Sequence, residues 1–173
     1  VETTAEIADA WLPAFYTPEA ADAVWGASLK AGKKLRDPNR AVLDIFAGGA
    51  VGIGAGMEPH RERGRAGAAL YIGGMGARSK NFYNDIFSKS GYAEEAKLIQ
   101  DLYLSGKKDA AAAAIPDGYL AKSSLIGEEA FDTDRISALK ESGVTTLNVS
   151  FIGSDPSERT HQCERLKNLV EKL

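Results

Sequence analysis

The chain has little of what a metal enzyme, a disulfide scaffold or a serine hydrolase needs. It holds one cysteine, Cys163, among 173 residues. A lone thiol forms no internal disulfide, so no cross-linked framework is expected. The two histidines, His60 and His161, lie in charged surroundings that read as solvated helix faces. No H-x-x-x-H pair and no paired-cysteine spacing occurs, so no metal site is expected. No G-x-S-x-G elbow is present to lift a nucleophilic serine. Apolar runs fall far short of the roughly 18 residues of a membrane span. Positive charge is not in surplus either: 21 Lys and Arg stand against 24 Asp and Glu. Basic residues alternate with acidic ones, unlike the basic stripe of a nucleic-acid binder. No nucleic-acid or membrane partner is therefore expected.

What is present is an ordinary globular balance, 44% hydrophobic and 26% charged, in a chain long enough for one core. Val1 to Ala8 reads as the end of a helix, without an initiator Met or a signal pattern, which suggests a truncated or processed chain. Ala10 to Tyr16 reads as a buried strand whose pairing Pro13 limits. Thr17, Pro18 and Glu19 open a helix that should stop at Gly32. Val42 to Ala47 is a second, β-rich strand, followed by a glycine-studded stretch. A charged helix is expected over Glu58 to about Leu70, with Arg61 to Arg65 on its solvated face. Tyr71 to Asp85 (YIGGMGARSKNFYND) then carries three glycines that should interrupt any helix.

Further on, Tyr92 to Leu104 has helical spacing, with Ala96, Ile99, Leu102 and Tyr103 on one face. Lys107 to Ile115 is an alanine-rich helix closed by Pro116. Glu128 to Ser142 reads as a helix with Phe131, Ile136 and Leu139 inward and Gly143 as its stop. Val144 to Phe151 is a β-branched strand. Asp155 and Pro156 open a last helix. Strands alternating with helices call for parallel pairing and right-handed crossovers. Three strands cannot close a barrel, and a full (β/α)8 barrel takes about 250 residues. The expected fold class is α/β, with the missing strands lying before Val1.

Four segments carry a resemblance: TAEIADAWLP (Thr4 to Pro13), ALYIGGMGARSKNFYND (Ala69 to Asp85), DLYLSGKKDAAAAAIPD (Asp101 to Asp117) and LIGEEAFDTDRISALKESGVTTLNV (Leu125 to Val149). Together they resemble the luciferase-like flavin and deazaflavin oxidoreductases, especially the coenzyme F420-dependent branch. The resemblance implies a TIM barrel of the bacterial luciferase type, of which residues 1–173 are the C-terminal half, from the end of the fifth helix to the eighth, with a helical excursion at about 58–127. The family's first four strands, and the Gly-Pro turn after the fifth, are absent. In relatives that half supplies much of the cofactor contact.

The resemblance implies an oxidoreductase that moves a hydride between coenzyme F420 and a small organic substrate, in a cytoplasmic homodimer. FMN, with an oxygen-activating monooxygenase chemistry, is the alternative. A non-catalytic half-barrel that self-associates through its strand edges is the reading from a different class. Barrel sites lie at the carboxyl ends of strands, here Pro13 to Tyr16, Gly48 to Val51 and Ser150 to Gly153. A planar cofactor needs apolar walls and a few backbone donors. Trp11, Phe15, Tyr16 and Phe151 are wall candidates. Gly73, Gly74 and Gly76, with Arg78 and Lys80, form a basic glycine loop suited to the cofactor's phosphate and anionic tail. Asp44 lies within a strand, where an inward carboxylate would need a partner. A nucleophile is not required, because the cofactor carries the hydride step.

Overall fold

The computed structural model describes residues 1–173. Its sheet has four parallel strands: β1 (Ala10–Trp11), β2 (Asp44–Ile53), β3 (Leu125–Gly127) and β4 (Thr146–Phe151). β2 is the hub. Ile45 pairs with Trp11 on one edge while its carbonyl accepts from the Thr145 amide on the other. Val51 likewise pairs with Leu125 and with Phe151 at once. So β4 runs along one edge of β2, and β1 and β3 share the opposite edge at its two ends. Between them, from Phe46 to Ala50, that edge has no strand partner.

Helices α1 (Glu2–Ile7), α2 (Pro18–Ala21) and α3 (Ala27–Leu35) precede β2, the last two joined by a π-helical turn over Asp22–Gly26. Between β2 and β3 lie a 3-10 turn (Glu58–Arg63), α4 (Gly64–Ala69), a π turn (Leu70–Gly74), α5 (Phe82–Phe87), a second π turn (Ser88–Tyr92), α6 (Ala93–Leu104), α7 (Lys108–Ala113) and α8 (Asp117–Lys122). Helix α9 (Glu129–Glu141) links β3 to β4, and α10 (Pro156–Val170) closes the chain.

Alternation along β2 sorts its side chains. Ile45, Ala47, Val51 and Ile53 are buried against Ile136, Leu139, Leu166 and Leu169 of α9 and α10. On the other face Asp44, Thr146, Asn148 and Ser150 are exposed. Helices thus cover one face of the sheet only, whereas parallel sheets normally have both faces covered. A second core, built on Ile72, Phe87, Ile99, Ile115 and Tyr119, lies within the helices between β2 and β3. Phe15 packs against both cores.

Several elements differ from the sequence expectation. The first strand ends at Trp11 instead of Tyr16. Pro13 has no N–H to extend a ladder, and Phe15 takes a left-handed φ of 51°. Gly32 does not stop its helix. It sits buried where α3 crosses α1, and a Cβ there would strike the Glu2 carbonyl and Ala5. The second strand does not end at Ala47 but runs through Gly48–Gly49 to Ile53. Gly73 and Gly74 continue a helical turn; the break comes at Met75, and Gly76 follows with φ 149°. The strand Leu125–Gly127 had no separate signal, being three residues long. Helices α6, α7, α9 and α10 and strand β4 fall where their patterning puts them, whereas α8 has no counterpart in the sequence reading.

Candidate active site

The gap in the β2 edge is a cavity of about 300 Å³. The chain builds it in three moves. After Trp11, Pro13 turns the backbone away from β2, so Leu12, Phe15 and Tyr16 stand off as one wall. Phe46, Ala47, Gly48 and Gly49 form the floor. From the other side, α4 contributes Gly64 and Ala68, and α8 with its following turn contributes Tyr119, Leu120 and Ser123. Asn148 of β4 reaches the cavity from the uncovered sheet face.

The two floor glycines are required sterically. Both have φ near +155° (157° and 154°), a region that side chains rarely adopt. A Cβ at Gly48 would lie 2.5 Å from the Asn148 carbonyl oxygen, and one at Gly49 would lie 2.5 Å from that of Ser123. The missing side chains let neighbouring backbone close the cavity floor.

No Asp, Glu, Lys, Arg or His lines the cavity. Its polar equipment is the unpaired edge of β2, the Asn148 amide, the Ser123 hydroxyl and two tyrosines. Tyr16 turns its hydroxyl outward, donating at 3.0 Å to the Ser142 carbonyl, and burial raises its pKa against the effect of the Ser142 hydrogen bond. Tyr119 is almost fully buried. Burial, helped by the neighbouring Tyr92, holds its phenol well above the usual range, against the Ser123 hydrogen bond. It remains a neutral O–H donor at any physiological pH.

Of the residues singled out from the sequence, Phe15 and Tyr16 line the cavity. Phe15 also meets Tyr71, Tyr83 and Tyr119 edge to face, with ring centres 6.0, 5.7 and 6.1 Å apart. Trp11 stands outside it, edge-on to Trp25 at 5.3 Å. Phe151 packs on the helix-covered side of the sheet. Gly73, Gly74, Gly76, Arg78 and Lys80 do not line the cavity. The faces of Gly73 and Gly74 are filled by the Tyr103 ring. Arg78 pairs with Asp101. Asn81 anchors the end of this loop, accepting from the Tyr83 and Asn84 amides and donating to the Tyr71 and Ile72 carbonyls. The segment therefore does not reach the cavity; its aromatics, Tyr71 and Tyr83, pack behind the wall residue Phe15. Asp44 is exposed on the uncovered face. Sequence reading missed Phe46, Asn148, Tyr119 and Ser123; only the Gly48–Gly49 doublet inside a β-rich run signalled them. No three His, Cys, Asp or Glu side chains converge as metal ligands.

Residues 1–146 match the family model described as luciferase-like monooxygenase. The chain belongs to that family. It is 30% identical over 159 residues to a protein of Mycobacterium tuberculosis whose name marks it as a provisionally assigned coenzyme F420-dependent oxidoreductase, an alignment covering 87% of this chain and 44% of that protein. The fold is similar to that of the coenzyme F420-dependent tetrahydromethanopterin reductase of Methanopyrus kandleri, with TM-score 0.62 and 20% identity, over 92% of this chain and 44% of that one. The chain thus spans less than half the length of either. This family member has an α/β fold with a parallel sheet, similar to that of the Methanopyrus reductase. No helix in it is long and apolar enough to cross a membrane.

Proposed function

We propose that this family member is the C-terminal half of a (β/α)8 barrel whose complete form transfers a hydride between coenzyme F420 and a small organic substrate. One observation carries the reading: an aromatic-walled cavity lined by no carboxylate, histidine, lysine or arginine, set against unpaired strand backbone. That combination suits a flat, largely apolar ring with a polar rim. The bare face of the sheet supports the half-barrel part, since a closed barrel would bury it. In this reading residues 1–173 run from the end of the fifth helix to the eighth.

The cofactor, when bound, supplies the hydride chemistry. The chain's own residues do the rest. Phe15, Tyr16 and Phe46 wall the ring site and exclude water. The edge of β2 from Phe46 to Ala50 offers backbone donors and acceptors. Asn148 presents both a donor and an acceptor, and Tyr119 holds its proton as a donor. Trp11 braces this wall through Trp25. Gly73, Gly74 and Gly76 carry Arg78 and Lys80 on the same segment as Tyr71 and Tyr83, and these cations would meet the anionic tail, Arg78 exchanging Asp101 for it. A cytoplasmic homodimer belongs to the same proposal.

The family's description as monooxygenases favours one second reading, an FMN-dependent oxygenation at this cavity. Fluorescence titration of the intact protein with F420 and with FMN separates the two. We expect saturable F420 binding, weakened about tenfold or more by Phe15→Ala, which removes a packed aromatic wall. Binding of FMN alone would move the assignment to the oxygenase. Binding of neither, by a protein that dimerises without cofactor, would favour the self-associating half-barrel.

A further inference from the structure

A second cleft, of about 700 Å³, opens at the carboxyl ends of β2 and β4 and shares no lining residue with the cavity above. Its walls are the reverse of that cavity's. Only Met57 and Ile152 are apolar; His60, Arg63, His161 and Ser157 stand around it. Glu158 is its one acid, and that carboxylate is already engaged, accepting from the Ser154 amide at 2.6 Å and hydroxyl at 2.9 Å. Asp155 caps the nearby end of α10 by accepting from the Glu158 amide at 3.0 Å. The helix end is thus closed by its own carboxylates, and the cleft owes its character to side chains.

Arg63 is the telling residue. Every other arginine has a protein partner: Arg36, Arg61 and Arg159 on carbonyls, Arg40, Arg65, Arg78, Arg135 and Arg165 on carboxylates. Arg63 alone has none, and it faces the cleft with two imidazoles and a free hydroxyl. We propose that this cleft binds a phosphate-class dianion. A guanidinium engages two oxygens at once, and two imidazole N–H groups with the Ser157 hydroxyl add further donors. That set outnumbers the two oxygens of a carboxylate and matches the three terminal oxygens of a phosphate. The crevice beyond the carboxyl ends of parallel strands is also where such folds take ligands. The inference does not rest on the F420 reading.

Calorimetric titration of the intact protein with inorganic phosphate, and with glycerol phosphate, tests it. Saturable binding is expected, with Kd raised about tenfold or more in Arg63→Ala, as for loss of a charge-assisted pair. Ser157→Ala should weaken it less. Arg40→Ala, which removes a cation paired with Asp9 elsewhere, should leave it unchanged. Tighter binding of the ester than of phosphate identifies the source as a phosphorylated small molecule; equal binding identifies free phosphate. No saturation, full retention in Arg63→Ala, or an equal loss in Arg40→Ala would overturn the proposal. Circular dichroism of each variant guards against unfolding.

Discussion

Two single residues put chemistry where the sequence offers no motif. Gly49 lets the Ser123 carbonyl close the cavity floor. Gly49→Ala forces a Cβ against that backbone oxygen in a strained φ, at a cost of about 1–3 kcal/mol. It should lower the denaturation midpoint and weaken any ring ligand in titration; a neutral Ala variant would show that the floor is not closed this way. Asp132 is the other case. Its carboxyl is fully buried without a hydrogen-bond partner for either oxygen. Burial pushes its pKa up to about 7, with Glu58 adding to the rise and Arg61, the Gly127 backbone and Arg165 opposing it. A carboxyl raised in the folded state binds its proton more tightly there than in the unfolded chain. Its stabilising contribution is therefore present at low pH and lost as pH climbs from the ordinary carboxylate range to about 7. Asp132→Asn keeps the shape and removes the charge. Its Tm relative to the parent should rise by on the order of 2–8 °C between about pH 5 and pH 8. A difference that stays flat with pH would mean that the group is ionised and compensated.

Among elements, the π turn over Leu70–Gly74 does what a bare glycine loop would not. It packs two consecutive glycines flat against the Tyr103 ring of α6, so that the helical layer comes close enough to hold Tyr71 against Tyr83, with ring centres 4.8 Å apart. A Cβ at Gly73 would stand 2.5 Å from that of Tyr103. Gly73→Val should therefore separate the turn from α6, cost about 2 kcal/mol or more, and loosen the aromatic wall behind Phe15. At Gly74 a Cβ would meet only ring atoms of Tyr103, so Tyr103→Ala, which removes the ring, should recover in chemical denaturation part of what Gly74→Ala loses. No recovery would mean that the glycine serves the backbone and not the packing. The short β1 and β3 share one logic as well: each grips an end of β2, and what lies between them is left open as the cavity.

For the molecule as a whole, the asymmetry of the sheet matters most. One face is sealed by α9 and α10, while the other shows Asp44, Thr146, Asn148 and Ser150 to solvent. The outer edge of β4 carries no strand either. An open parallel edge is a pairing hazard, and the half-barrel reading assigns both the face and the edge to further strands. Hydrogen exchange separates the possibilities. If those strands are present in the intact protein, the outward amides of β4 should exchange as slowly as those of β2. Fast exchange at β4 beside slow exchange at β2 would leave the sheet open as it stands.

Much was legible in the residues alone, for physical reasons. Where a helix or strand is long enough to repeat its period, as in α6, α9, β4 and α10, side-chain patterning and capping residues determine the element locally. The family words are short local stretches, two of which run into α6, α9 and β4, so membership could be read before any fold. The site could not. Phe46, Gly49, Tyr119 and Asn148 are far apart in sequence and meet only because β2 receives β1 and β3 at opposite ends of one edge. Two-residue and three-residue strands leave no periodic trace, since they exist only by pairing with a longer neighbour. Gly73 and Gly74 likewise read as loop residues until Tyr103 was in place against them. Composition and periodicity determined an α/β chain with no metal-ligand spacing; tertiary packing decided where its cavity without acids or bases and its polar cleft would lie, because both are made of contacts between segments and not of segments.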